Sequence, residues 1–324
     1  MASATIAAVA TPVGRGGIGI IRISGKDALS ITAQVFKPGA LKAPGGKKND
    51  PRPVADFESH RMYYGHIVAP GTREVIDEVM LVSMRAPRSY TREDTVEIHS
   101  HAGPAILKQI LKQVLLLGAR LAQPGEFTRR AFLNGRIDLS QAEAVIDVIN
   151  ARTQKSLQLA AAQASGKLRR QINAIRGVLV NLLTRIEAAI DFPDDVIEFI
   201  QPEETQKTLE KEVLKPLKRL IRNYVDAHVF RDGLAVAVVG QPNVGKSSLL
   251  NQLVQKDRAI VTDVPGTTRD VIEETLNLEG IPVVISDTAG VHHTDHPVET
   301  IGIKKTLEHV SGSDLVLFMI EAHR

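Results

Sequence analysis

The spacing of apolar residues along this chain changes character twice. Over residues 1–120 short runs and strict alternation dominate. Thr5–Ala10 and Ile18–Ile23 are β-prone runs around the turn Gly14-Arg15-Gly16-Gly17, and Met62–Val68 and Val75–Met84 read as strands paired through the turn at Pro70-Gly71. In Thr95–Ser100, Val96 and Ile98 alternate with Thr95, Glu97 and His99, which is the period of a half-buried strand. Pro104–Leu117 then carries a helical stripe of Ile106, Ile110, Val114 and Leu117, and Pro38–Pro53, with its Lys47-Lys48 pair, reads as a solvated loop.

Between residues 121 and 232 the period becomes helical. Ser140-Gln141-Ala142-Glu143 reads as a capping box ahead of Ala144, Val145, Val148 and Ile149. A single helix is expected from about Thr153 to Ile190, with Leu157, Ala161, Leu168, Ile172, Ile175, Leu179, Leu182 and Ile186 as its apolar positions and Asp191-Phe192-Pro193-Asp194 as its stop. A stripe of that length needs partner helices. Pro202 opens a further helix whose Lys215, Lys218, Arg219 and Arg222, like Lys167, Arg169 and Arg170 before them, suit either a solvated face or RNA. From Gly233 the pattern changes again. Leu234–Val239 is an unbroken apolar run, as expected of a parallel strand covered on both faces.

Composition narrows the function. Hydrophobic residues make up 43% and charged residues 24%, which excludes global disorder. The net charge of +3 is too even for a nucleic-acid coat, and 4% aromatics with no Trp disfavours a groove built on base stacking. With no Cys, the chain has no disulfide, iron–sulfur cluster or catalytic thiol. No apolar run reaches membrane-spanning length, so the expectation is a soluble, cytoplasmic protein.

The densest chemistry lies at Gly240-Gln241-Pro242-Asn243-Val244-Gly245-Lys246-Ser247, which fits G-x-x-x-x-G-K-[ST] between a strand and the helical run Ser248–Val254. Glycines let successive backbone N–H groups face phosphate oxygens, Lys246 suits the β and γ phosphates, and the Ser247 hydroxyl suits Mg²⁺. In Asp263–Asp270, Thr268 is the candidate for completing Mg²⁺ coordination. The strand Val283–Ser286 leads into Asp287-Thr288-Ala289-Gly290, whose Asp287 can reach Mg²⁺ through water and whose Gly290 N–H can sense a γ-phosphate. The combination points to a GTPase. Val291 sits where Ras-like enzymes place a water-orienting glutamine, so another group must supply that role; Glu299 is the nearest carboxylate suited to it. The cluster His292, His293, Asp295 and His296 reads as solvated, and His99-x-His101 as pocket lining or satisfied histidines more readily than a metal pair.

With these residues in place, the chain resembles the MnmE (TrmE) family of tRNA-uridine-modification GTPases. The resemblance is carried by Ala10-Thr11-Pro12, Gly14–Gly19, Ile21-Arg22-Ile23-Ser24, Pro124–Gly135, Leu139–Ala144, Glu187–Pro193 and the nucleotide loops. It implies a multidomain α+β and α/β protein. Residues 1–120 would form an α+β folate-binding and dimerisation domain, 121–232 an incomplete helical domain, and 233–324 a truncated Ras-like P-loop GTPase domain. It implies GTP contacts from Asn243, Val244, Gly245, Lys246, Ser247, Ser248, Thr262, Thr267, Thr268, Asp287, Thr288, Ala289 and Gly290. It further implies Mg²⁺ at Ser247 and Thr268, and K⁺ at Asn243, Thr262, Val264 and Thr267. Glu299 and Lys246 would be catalytic. Arg22, Glu97 and Arg136 would contact 5-formyl- or 5,10-methylene-tetrahydrofolate, with Arg136 in place of a lysine seen in some relatives. The implied partners are a second copy of the chain, the FAD-containing MnmG in a heterotetramer, and tRNA modified at C5 of its wobble uridine.

The sequence departs from the family by ending within or just after the strand Asp314–Ile320, with no N-K-x-D guanine reader, and so reads as an N-terminal fragment. As that fragment, a folate-binding dimerisation module with a disabled GTPase half is the alternative. A ribosome-assembly GTPase of the Era or Der kind has no place for residues 1–230.

Overall fold

The computed structural model describes residues 4–12, 14, 16–39, 53–191, 201–240, 244–257, 273–286 and 311–321. The chain divides into two compact units, Met1–Ala142 and Glu143–Arg324. Most of the loop read at Pro38–Pro53, the stop after Asp191, the histidine cluster, and Asn243, Thr262, Val264, Thr267, Thr268, Asp287, Thr288, Ala289, Gly290 and Glu299 lie outside the described residues.

The first unit is a seven-stranded sheet covered on one face by helices. Its strands are β1 (Ile6–Val9), β2 (Gly19–Ser24), β3 (Phe36–Pro38), β4 (Met62–Val68), β5 (Val75–Met84), β6 (Thr95–Ser100) and β7 (Arg120–Leu121), in the order β3-β4-β5-β6-β2-β1-β7. All neighbours are antiparallel except β1 and β7. The alternation read from the sequence sets the faces: Ile21, Ile23, Val96 and Ile98 are fully buried, while Arg22, Glu97 and His99 turn the other way. Helices α1 (Ala28–Val35) and α2 (Pro104–Leu116) supply Ile31, Val35, Leu107, Ile110 and Val114 to the same core. Pro104 opens α2 at a position where its missing N–H costs nothing.

Helix α3 (Glu126–Leu133) is tied into this unit by buried charge. Arg130 Nη1 donates to Glu93 Oε2 at 2.9 Å, and its Nη2 donates to Glu126 Oε1 at 3.1 Å and to the Ala4 carbonyl at 2.7 Å. Arg120 grips Glu126 with two bonds of 2.6 and 3.0 Å, and the Gln123 N–H donates to Glu126 at 2.9 Å. Ser24 donates to Glu93 at 2.8 Å. Residues 121–136, grouped with the helices on their sequence pattern, are thus bonded to the N-terminal sheet.

Helix α4 (Leu139–Asn150) has its cap two residues before the expected one, at Asp138 in place of Ser140. Asp138 Oδ1 accepts from the Gln141 N–H at 2.8 Å, and Gln141 Oε1 accepts from the Asp138 N–H at 3.2 Å. This reciprocal pair is the capping box, and Ser140, expected as the cap, instead donates to Asp138 at 2.6 Å. Aspartate accepts from a backbone N–H with full charge, so it outcompetes the serine.

The second unit begins with helices. The expected single helix from Thr153 to Ile190 is two, α5 (Gln154–Ala164) and α6 (Lys167–Asp191). Gly166 takes φ +74° between them, a left-handed conformation that ends α5 at little steric cost. Thr153 caps α5 by accepting from the Ser156 N–H at 3.1 Å. On α6, Ile175, Leu182 and Ala189 are buried at seven-residue spacing, whereas Leu168, Ile172, Leu179 and Ile186 are exposed. Helix α7 (Pro202–Thr208) continues through a π-helical stretch, Leu209–Leu214, into α8 (Lys215–Asp232). Pro216 has no N–H to close on Glu212, and the turn before it widens. Helix α8 is held to α5 by Ser156 Oγ donating to the Phe230 carbonyl at 2.6 Å, and to α4 by the Arg231–Asp147 ion pair at 3.2 Å.

A four-stranded sheet follows, ordered β11-β8-β10-β9, with β8 (Leu234–Gly240), β9 (Glu273–Leu278), β10 (Ile281–Ser286) and β11 (Leu315–Met319). β8 lies between β10 and β11, parallel to both, and Val236, Ala237 and Val238 are buried. β9 and β10 form a hairpin across Glu279-Gly280, where φ is +50° and +91°, the primed turn that matches strand twist. β11 is an edge strand among the described residues, and Phe318 is 71% exposed.

The Arg120–Glu126–Arg130 cluster makes stability pH-dependent. The Arg120 guanidinium, with the Gln123 N–H and Arg130, holds the Glu126 carboxyl at about 2, below its ordinary 4.5. A lowered acid pKa stabilises the fold above pH 4.5, and that contribution is lost as the pH falls toward 2. Urea unfolding at pH 7 is expected to show Glu126→Gln destabilised by about 3 kcal/mol. Its stability should fall less steeply than the parent's between pH 4.5 and 2.

Candidate folate pocket and phosphate loop

Two places collect the residues singled out above, one in each unit. In the first, Arg22 on β2 and Glu97 on β6 are direct cross-strand neighbours, so the sheet register alone brings them together. Arg22 Nε and Nη2 both lie 2.7 Å from Glu97 Oε1. His99 Nε2 approaches Glu97 Oε2 at 3.4 Å. Arg136 comes from beyond α3, where its Nη1 donates to the Ser89 carbonyl at 2.9 Å. What joins these groups is Tyr90. Its ring lies 5.6 Å from the Arg22 guanidinium and 5.0 Å from that of Arg136, within cation–π range of both. Phe127 on α3 lies 5.6 Å from Arg22, and the Tyr90 hydroxyl is 2.9 Å from Thr128 Oγ1.

Two of the three residues read as folate contacts, Arg22 and Arg136, therefore flank one aromatic ring, and the third, Glu97, is bonded to Arg22. Their electrostatics differ from the expected division of labour. Arg22, read as the partner of a ligand carboxylate, is neutralised by Glu97. Arg136 forms no ion pair with a described carboxylate and is the cation open to an anionic group. Sequence reasoning missed Tyr90, Phe127 and Thr128. Tyr90 lies in an irregular stretch with no period, and Phe127 reaches the sheet only because the buried arginine network places α3 there.

The two histidines of His99-x-His101 do not act together. His101 lies past the end of β6, and its Nδ1 sits 2.8 Å from Asp77 Oδ1. Its pKa is raised because Asp77 hydrogen-bonds the ring and stabilises the charged form. Both histidines line a cavity of about 290 Å³ with Met62, Tyr64 and Met80. Among the described residues no group of three or more His, Asp or Glu is arranged to hold a metal.

In the second unit, β8 runs into the glycine loop and helix α9 (Lys246–Asp257) leaves it. Lys246 is the first residue of α9, and its Nζ donates back to the Gly240 carbonyl at 2.8 Å. This bond ties the start of α9 to the end of β8. Gly245 adopts φ +94°, which a side chain would resist, and its carbonyl accepts from the Leu249 N–H at 2.9 Å. A Cβ at Gly240 would fall 2.3 Å from the Met319 carbonyl oxygen, so close pairing of β8 with β11 requires glycine there. Val244 is half-buried, Ser247 lies in the first turn of α9, and Ser248 is exposed. Orphan N–H groups of that turn and the Lys246 ammonium give this end of the helix the charge to bind a phosphate. Gly240→Ala is expected to destabilise the protein by about 2 kcal/mol in thermal unfolding through this clash.

Comparison with known proteins extends over both sites. Residues 5–136 match the family described as GTP-binding protein TrmE N-terminus, and residues 139–314 match the MnmE helical domain. The second match runs through the helices and on into the sheet that carries the phosphate loop. The tRNA modification GTPase MnmE of Carboxydothermus hydrogenoformans is 49% identical over 317 residues, which is 98% of this chain and 66% of the relative. That of Geobacter metallireducens is 49% identical over 320 residues, covering 99% and 67%. That of Thermoanaerobacter pseudethanolicus is 48% identical over 320 residues. The chain spans about two thirds of the length of these curated relatives. With both family matches in sequence order and near half of all positions identical, this chain belongs to the MnmE (TrmE) family.

Proposed function

We propose that this chain carries the GTP-binding and hydrolysing machinery of a tRNA-modifying enzyme, joined to a dimerising N-terminal domain that takes a reduced folate. The observation that carries the reading is the β8–loop–α9 arrangement, with Lys246 bridged to Gly240, in a chain whose relatives are named tRNA modification GTPases. The strand order around β8 suits a Ras-like domain, with the phosphate loop at the carboxyl end of a central parallel strand.

In this reading Val244, Gly245 and the first turn of α9 cradle the GTP phosphates. Lys246 leaves the Gly240 carbonyl to neutralise charge on the β and γ phosphates. Ser247, one residue into α9, offers a hydroxyl suited to Mg²⁺, with Thr268 as the second. Asn243 and the oxygens of Thr262, Val264 and Thr267 would supply the all-oxygen donors that K⁺ prefers, and K⁺ held by them would add positive charge near the β and γ phosphates. Glu299 orients the attacking water, a task Val291 has no donor or acceptor to perform. Asp287 would hold Mg²⁺ through water, and the Gly290 N–H would sense the γ-phosphate.

The pocket around Tyr90 fits a reduced folate in its donor set. Glu97 can accept from pterin amino groups, the rings of Tyr90 and Phe127 offer apolar faces, and Arg136 suits the carboxylate tail. The tRNA wobble-uridine chemistry at C5, the FAD-containing MnmG partner and the cytoplasmic location belong to the same proposal.

The test is GTP hydrolysis in K⁺ against Na⁺, in a chain carried to the full length of the relatives. Potassium is expected to accelerate turnover, and Asn243→Ala or Glu299→Ala to lower it by about a hundredfold. Equal rates in the two salts would overturn the K⁺ mechanism. For the chain as it stands, calorimetry with GTP and with 5-formyltetrahydrofolate separates the readings. Folate binding without nucleotide binding would favour a non-catalytic dimerisation module.

A further inference from the structure

One strongly charged surface is unused by either site. On α8, Lys215, Lys218, Arg219 and Arg222 are all exposed, and at 100° per residue they fall on one face of the helix. The opposite side is the packing side: Val213, just before α8, is buried, and Leu217 and Leu220 are half-buried. Lys211, one turn earlier in the π stretch, is exposed as well. None of these cations forms an ion pair with a described carboxylate, and the sequence has no acidic residue from Lys215 to Asn223. The acids of this helical run lie on either side of that stretch, at Glu203, Glu204, Glu210 and Glu212 before it and at Asp226 and Asp232 after it.

A merely solvated helix face is ordinarily laced with both signs. Here Lys215/Lys218, Lys215/Arg219, Lys218/Arg222 and Arg219/Arg222 are like-charge pairs at i,i+3 or i,i+4, each of which destabilises an isolated helix. Glu212 precedes Lys215 by three residues and Asp226 follows Arg222 by four, yet among the described residues no ion pair relieves the repulsion within the stretch. An anionic surface would relieve it. Successive turns place cations about 6 Å apart along the axis, comparable to the step between neighbouring phosphates of a nucleic-acid strand. The α8 face from Lys215 to Asn223 has no aromatic residue to stack on a base. Contact would thus be with phosphates and independent of base sequence.

We infer that the Lys215–Arg222 face of α8 is a docking surface for the sugar–phosphate backbone of tRNA. This rests on the tRNA-directed reading above and adds where the RNA is held. Lys211 extends the stripe, and the face orients the RNA without selecting its sequence.

The test measures binding of fluorescein-labelled, unmodified tRNA to the chain as it stands, by anisotropy over a salt series. The variant is Lys215→Gln/Lys218→Gln/Arg219→Gln/Arg222→Gln, and the control is Lys108→Gln/Lys112→Gln on α2. The variant is expected to bind about a hundredfold more weakly at low salt, with a slope of log affinity against log salt shallower by about 3. The control should bind as the parent does. The melting temperature of the variant should be unchanged or higher, because repulsion is removed; this separates lost contacts from lost fold. Parent-like affinity and slope in the variant would overturn the inference, as would displacement of tRNA by poly-glutamate as readily, charge for charge, as by unlabelled tRNA. That last outcome would mark an acidic protein as the partner. Nucleotide binding is read in the same samples: its absence with tRNA binding intact would defeat the GTPase reading and leave this surface standing.

Discussion

Glu126 is the residue on which the N-terminal unit turns. It is buried and accepts from two guanidinium groups and a backbone N–H, while one of those arginines reaches on to Glu93 and to the Ala4 carbonyl. Charges of this kind are costly to bury and worse to leave single, so the cluster admits one arrangement in which every member is paired. That arrangement fixes α3 against the sheet. The position of α3 in turn fixes Phe127 beside Arg22 and Thr128 beside Tyr90. The pocket is thus a consequence of a buried ion network more than of the residues that would touch a ligand.

The same logic, with different forces, shapes the second unit. There β8 sits between β10 and β11, and its glycine end must pass close to the Met319 carbonyl. The bond from Lys246 to the Gly240 carbonyl ties the start of α9 to the end of that buried strand. The helices leading into β8 are organised by backbone geometry: a left-handed glycine separates α5 from α6, and a π stretch carries the chain past Pro216 into the basic face of α8. The surfaces proposed for folate, phosphate and RNA are built by separate physical means.

Much of this was legible in the sequence, for reasons of range. Period-two alternation placed β6, and the pairing read through the Pro70-Gly71 turn placed β4 and β5, at their observed bounds. The phosphate loop was legible because its whole chemistry lies in eight consecutive residues between a strand and a helix. Where local signals compete, the reading slipped. Asp138 took the cap expected of Ser140, because a carboxylate is the stronger acceptor. The pattern of α5 and α6 read as one helix because the apolar positions stay nearly in phase across Ser165-Gly166.

By itself the sequence determined most of the elements, the G-x-x-x-x-G-K-[ST] pattern between a strand and a helix and, through the resemblance its motifs carry, the family. Each of these is written in residues close together along the chain. Only the tertiary structure decided that Tyr90 gathers Arg22 and Arg136, that Arg22 is neutralised by Glu97 while Arg136 has no such partner among the described residues, and that the α8 cations face away from the packing side. Those outcomes depend on strand register, on the pairing of buried charges and on which face of a helix is covered. They join groups tens of residues apart, and no local pattern encodes them.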